Sequence, residues 1–229
     1  NPANQARDDE GVVDGEKTVD MMEEKQDSIS LGEIGFYSLG DLIENVGTTS
    51  FYVAPYQRGY RWGESEINYL LNDIWESPEN RKYCLQPIAI IGREWEEKKV
   101  WELVDGQQRL TTLYLILAML NNKFNRSEAT YKIHYNTRQT TAEFLKQTRE
   151  DSLLDDWLEK EASLDELWIS FIQKHPDKDN IDNFHLFQAY LLIYRWFLGK
   201  ETKVAEKLAH KLFSNTYLIW HPITLRREA

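Results

Sequence analysis

Hydrophobic and polar positions along this chain follow two periods, and each period predicts a kind of element. Ile67, Leu70, Leu71, Ile74 and Trp75 recur at helical spacing. They form one apolar stripe on an otherwise polar cylinder, which predicts a helix from about Glu64 to Trp75. Leu110, Leu113, Leu117 and Leu120 mark a second helix, and Ile116 and Met119 widen its apolar face enough to predict burial on more than one side. Short apolar runs predict strands at Phe51 to Val53, Ile88 to Ile91, Val100 to Val104, Tyr131 to Tyr135 and Tyr217 to Trp220, the first stopped by Pro55. The charged stretch Arg93 to Lys99 reads as the turn of a hairpin. A short helix, Leu39 to Val46, takes Ser38 as its N-cap and ends before Gly47. Beyond Thr140 the pattern is helical, at roughly 140–149, 152–161, 163–174, 183–198 and 201–213. The 183–198 segment, with Phe184, Phe187, Tyr190, Leu191, Tyr194 and Phe197, is the most apolar.

The expected fold class is α+β, with a small mixed α/β head over 28–137 followed by a mainly helical region over 138–229. Residues 1–27 carry nine acidic and three basic residues with few bulky apolar ones, the composition of a disordered acidic arm. The arm holds −6 of the net charge of −11, so the rest of the chain is only mildly acidic. That leaves room for a local basic groove but argues against strong sequence-independent coating of duplex DNA. One cysteine, Cys84, allows neither an internal disulfide framework nor a multi-cysteine zinc site. No run approaches the ~18 apolar residues of a membrane span, and no export signal is recognisable. A cytoplasmic protein without a membrane partner is the expectation.

The candidate chemistry lies where a strand runs into a helix, Leu103-Val104-Asp105-Gly106-Gln107-Gln108-Arg109-Leu110-Thr111-Thr112-Leu113. A helix start offers unpaired N–H groups and partial positive charge, which favour an anion. Gly106 permits a tight turn, and Arg109 adds a planar fork of donors suited to phosphate. Gln107 and Gln108 are neutral groups that can orient a ligand or a water, and Thr111 and Thr112 place hydroxyls one turn further in. Asp105 could hold a metal ion, position water or cap the helix. A structural alternative stands beside this: Asp-Gly is a common cap and turn, and Arg109 could pair with Asp105 or Glu102.

A second candidate is the aromatic and basic loop Tyr56-Gln57-Arg58-Gly59-Tyr60-Arg61-Trp62. Tyr56, Tyr60 and Trp62 could stack on a base while Arg58 and Arg61 meet phosphate, or the rings could simply fill the core. No Walker-type phosphate loop occurs. His134, His175, His185, His210 and His221 show no metal-ligand spacing, and Glu94-Trp95-Glu96-Glu97-Lys98 reads as a solvated hairpin tip.

These two motifs, in this order and with a hairpin between, resemble the N-terminal domain of GmrSD-type restriction endonucleases, specifically across 51–115 and more weakly over 34–222. The resemblance implies a ParB/sulfiredoxin-like head in a bacterial anti-phage system that restricts modified DNA. It ties Asp105, Gly106, Gln107, Gln108 and Arg109 to nucleotide hydrolysis and lines the same pocket with Tyr56, Gln57 and Arg58. Relatives often carry a glycine where this chain has Gln86-Pro87. They usually continue past the last strand, often into a histidine-nuclease domain, so a truncated C-terminal end and a separate nuclease domain or subunit are expected.

The leading expectation is thus a domain that binds and hydrolyses a nucleoside triphosphate, with Mg²⁺ as a possible cofactor at Asp105. Asp105, Gln107, Gln108 and Arg109 are the catalytic candidates. Tyr56, Gln57, Arg58, Gly106, Thr111 and Thr112 are the nucleotide-binding ones, with Tyr60 and Trp62 as stacking rings. DNA would be met directly or through the nuclease. The alternatives are a non-catalytic module recognising DNA or a partner, and a ParB-like nicking nuclease.

Overall fold

The computed structural model describes residues 32–45, 50–124, 130–136 and 138–224. The acidic arm and Gly47 lie outside the described residues. Over the described residues the fold is α+β, a mixed six-stranded sheet with eight α-helices. The strands are β1 (Gly35–Ser38), β2 (Ser50–Val53), β3 (Tyr83–Trp95), β4 (Lys98–Asp105), β5 (Lys132–Tyr135) and β6 (Thr216–Pro222), in the spatial order β1-β6-β3-β4-β2-β5. The helices are α1 (Leu39–Asn45), α2 (Glu64–Glu76), α3 (Gln107–Phe124), α4 (Gln139–Glu150), α5 (Asp155–Leu158), α6 (Leu164–Lys174), α7 (Ile181–Phe197) and α8 (Thr202–His210).

Local chemistry accounts for most of the boundaries. Ser38 caps α1 reciprocally: its Oγ accepts from the Asp41 N–H, and Asp41 accepts from the Ser38 N–H. Glu66 accepts from the Gly63 N–H at the start of α2, and Asn180 accepts from the N–H groups of Asp182 and Asn183 at the start of α7. The β3–β4 hairpin is longer than the apolar pattern suggests. Pairing continues to Trp95 and Lys98, and only Glu96 and Glu97, both at positive φ, form the turn. Arg93, Glu94, Lys98 and Lys99 are therefore strand residues, because a two-residue turn of this hand matches the strand twist and lets pairing run to its edge.

Two helices are shorter than expected. The stretch 152–161 holds only Asp155–Leu158 as helix, since Ser152 at φ 52° breaks the run between α4 and α5. The stretch 201–213 divides into α8 and a π-turn, Lys211–Asn215.

The division at 137/138 separates the sequence but not the sheet. β6 lies between β1 and β3, antiparallel to the first and parallel to the second. A parallel partner needs a long crossover, and the helical region supplies it. α3 is buried along its length from Gln107 to Leu120 except at Gln108, and it packs against α4, α7 and α8. Leu103, Ile88, Ile90, Leu218 and Trp220 of the sheet join the same core as Leu186, Phe187 and Tyr190 of α7.

The π-turn serves α2. It points the buried Lys211 inward, where its Nζ donates to the Trp75 and Ser77 carbonyls at the end of that helix. Helix ends leave such carbonyls without intrahelical donors. Lys211→Ala is expected to cost about 2–3 kcal/mol by stranding them, read as a lowered midpoint in urea unfolding.

Candidate functional site

The site begins with the turn from β4 into α3. Gly106 has φ +91°, and a Cβ there would lie 2.5 Å from the Ile88 methyl Cγ2, so both the backbone conformation and the packing require glycine. β3 is irregular at the same place. Its pairing with β6 shifts between Leu85 and Ile88, and its pairing with β4 shifts between Ala89 and Ile90. The first bulge turns out Gln86 and Pro87 beside the start of α3.

Arg109 lodges against that bulge. Its Nη1 donates to the Gln86 and Pro87 carbonyls at 2.9 and 3.3 Å, and its Nη2 to Gln86 Oε1 at 2.6 Å. It is 9% exposed, and it makes no ion pair with the described residues. Burial lowers its pKa, against the opposing pull of the Asp105 carboxylate and of Tyr83; an arginine stays protonated regardless. Neither alternative pairing forms among the described residues: Arg109 makes no salt bridge to Asp105, and Glu102 is taken by Arg93 and by the Tyr56 hydroxyl.

The two motif glutamines have different surroundings. Gln108 is fully engaged: Oε1 accepts from the Arg61 N–H at 2.7 Å and Nε2 donates to the Gly59 carbonyl at 3.0 Å. Gln107 is 4% exposed; its buried Nε2 closes no hydrogen bond of normal geometry among the described residues, and its amide approaches the Tyr135 hydroxyl, whose pKa, raised by burial, it helps to pull back. The first intrahelical bond runs from the Leu110 N–H to the Gly106 carbonyl, which leaves the N–H groups of Gln107, Gln108 and Arg109 without intrahelical acceptors.

The Tyr56–Trp62 loop closes over this helix start. Gln57 Nε2 donates to the Leu103 and Val104 carbonyls at 3.3 and 3.0 Å. Together the two motifs enclose a cleft of about 240 Å³ lined by Gln57, Arg58, Trp62, Gln86 and the five residues 105–109. Arg58 is exposed and has no hydrogen bond or ion pair with the described residues, and Asp105 is exposed at the cleft and is its one lining carboxylate.

Other candidates fall elsewhere. Tyr60 is fully buried, its hydroxyl 2.8 Å from Thr112 Oγ1, so it presents no ring face to a ligand. Thr111 and Thr112 are buried too; Thr111 Oγ1 lies 3.2 Å from the Tyr135 hydroxyl, and Thr112 Oγ1 also donates to the Gln108 carbonyl. Their place on the inner side of α3 explains this, since that face meets the core. Tyr56 is 68% exposed but borders a neighbouring cavity of about 220 Å³ with Tyr52, Trp95 and Glu102. A larger cavity, about 570 Å³, lies between β5 and α4 and contains neither motif. Gln86 stood out in the sequence only as a departure from relatives, and its hold on Arg109 depends on the bulge; Asp182 and Arg138, which reach the loop from a distance, carry no local signal at all.

The residues present bear on a metal ion in one way. Among the described residues no group of three His, Cys, Asp or Glu side chains is placed to hold one. At the cleft Asp105 is the one carboxylate that could add an oxygen to a Mg²⁺ coordinated mainly by other ligands.

The GmrSD restriction endonuclease N-terminal domain model matches residues 39–225, and the chain belongs to that family. No curated protein matches the chain. Among the described residues no helix is long and apolar enough to cross a membrane.

The contrast between the glutamines has a measurable consequence. Gln108→Ala strands the Arg61 N–H and Gly59 carbonyl and is expected to lower stability by about 1–2 kcal/mol. Gln107→Ala strands no backbone group and should shift the denaturation midpoint less.

Proposed function

We propose that this domain, as part of a DNA restriction system, binds a nucleoside triphosphate in the cleft at the start of α3 and hydrolyses it. One observation carries the reading: donors with no anionic partner among the described residues line one cleft. The Arg109 guanidinium bonds only neutral oxygens there, Gln107 Nε2 is buried and closes no hydrogen bond of normal geometry, and the first N–H groups of α3 face no intrahelical acceptor. Buried donors cost stability unless matched, and the ligand that matches a helix start, an amide and a guanidinium is a phosphate chain.

Each residue then has a limited task. Arg109 and the helix N–H groups neutralise charge on the phosphates, the larger need in phosphoryl transfer. Gln107 donates to a phosphate oxygen or to the oxygen of the attacking water. Asp105 accepts a hydrogen bond from that water, aiming its lone pair at the terminal phosphorus, and takes up the proton released as the bond to the next phosphate breaks. A Mg²⁺ carried in on the phosphates would supply further charge neutralisation. Gln57 and Gln108 shape the cleft, since their amides are already bonded to backbone. The cleft is smaller than the ~300–1,000 Å³ typical of enclosed ligand sites, so it takes the phosphates, while the nucleoside lies along the open rim at Arg58 and Trp62. DNA, modified or not, is reached directly or through a nuclease domain or subunit.

A second reading, recognition without hydrolysis, is favoured by one feature: a single carboxylate lines the cleft. Calorimetry with Mg·ATP and Mg·GTP, and then with modified and unmodified DNA, separates the two. Under the first reading, Arg109→Ala and Asp105→Ala each reduce phosphate release by about 10²-fold, with the far-UV CD spectrum unchanged. Wild-type turnover in both variants overturns it, and heat with DNA but with neither nucleotide favours the second.

A further inference from the structure

The loop that brings Gln57, Arg58 and Trp62 to the cleft is held partly from outside the sheet. Asp182, in the first turn of α7, is 6% exposed. Its carboxylate oxygens are divided between two guanidiniums, Oδ1 accepting from Arg61 Nη1 at 2.5 Å and Oδ2 from Arg138 Nη1 at 2.8 Å. Each arginine also donates to the loop backbone, Arg61 to the Tyr60 carbonyl and Arg138 Nη2 to the Gln57 carbonyl at 3.2 Å. Gly59 lies in the crook of this arrangement. A Cβ there would fall 1.9 Å from Asp182 Oδ1 and 2.4 Å from Arg138 Nη1. From the opposite side Gln108 takes the Gly59 carbonyl and the Arg61 N–H.

We infer that Asp182 is the positioning residue of the cleft: clamped between Arg61 and Arg138, it fixes the Gln57–Trp62 segment against α3 and so lets the helical region set the geometry of the ligand site. This rests on the nucleotide reading only for its effect on turnover. Among the described residues, the polar side-chain contacts of Asp182 both go to arginines that also grip the loop. The hydrophobic anchor of the same loop is separate, the fully buried Tyr60 bonded to Thr112. Loss of the carboxylate therefore loosens the loop without emptying the core, leaving two partly buried guanidiniums with no counter-charge between them. A shift of the loop by ~1 Å suffices to degrade a site whose donors must meet phosphate oxygens at fixed distances.

Three variants of this chain test this: Asp182→Asn, Arg138→Gln, which removes one arm at a position more exposed than Asp182, and Gly59→Ala, which forces the clamp apart with no change of charge. Backbone hydrogen exchange over residues 57–63 is expected to speed up by about tenfold or more in each, with α3 and the sheet as protected as in the wild type. Phosphate release from Mg·ATP or Mg·GTP, whichever the wild type turns over, is expected to fall by about 10- to 100-fold, with KM raised as well as kcat lowered. Unchanged exchange at 57–63 in Asp182→Asn and Arg138→Gln overturns the inference, and so does an increase spread evenly over the chain. Should the wild type release no phosphate, the nucleotide reading fails, and the exchange pattern alone decides the role of Asp182.

Discussion

At Gly106 the chain leaves the sheet and enters the core within a single residue, at a backbone angle and a spacing that admit no side chain. Much else depends on that turn. It puts the first turn of α3 directly beside the bulged segment of β3, so Arg109 reaches Gln86 and Pro87 while the apolar remainder of the helix runs into the interior. The tight connection holds those donors at the edge of the core and facing the cleft, where an incoming anion meets them together.

The motifs that face each other across the cleft divide labour in a way their composition does not reveal. Gln57 and Gln108 have side chains suited to ligand binding, yet each spends its amide on backbone: Gln57 on β4, Gln108 on the loop. They cross-brace the two segments. Tyr60 and Thr112 do the same with hydroxyls, and Tyr56 does so through Glu102. Arg58, Trp62, Asp105, Gln107 and Arg109 remain at the cleft, with donors or ring surface not fully taken up by the fold. A polar residue in a motif thus has two possible employments, and only its partners tell which.

The helical region is part of this arrangement. Its last strand completes the sheet beside β3, its helices bury α3, and Asp182 grips the loop. The bulge at Gln86-Pro87 supplies the oxygens that hold Arg109. Proline has no N–H to offer a ladder, so it belongs at such an irregularity.

Periodicity and punctuation by themselves determined the elements: α2 and α7 from their apolar spacing, the β3–β4 hairpin from two apolar runs, α1 from Ser38, and the α+β class from their order. The same one-dimensional reading located both motifs, since five polar or glycine residues between two apolar elements are visible without a structure. Only the tertiary structure decided that β6 enters the sheet between β1 and β3, that Tyr60, Thr111 and Thr112 face inward, that Gln108 rather than Gln107 braces the loop backbone, and that Arg109 forms no ion pair with a carboxylate among the described residues. The reason is the range of the interactions. Caps, turns and stripes are written within a few residues, whereas Arg109 meets Gln86 across 23 positions and Arg61 meets Asp182 across 121, and nothing local in either segment encodes its partner.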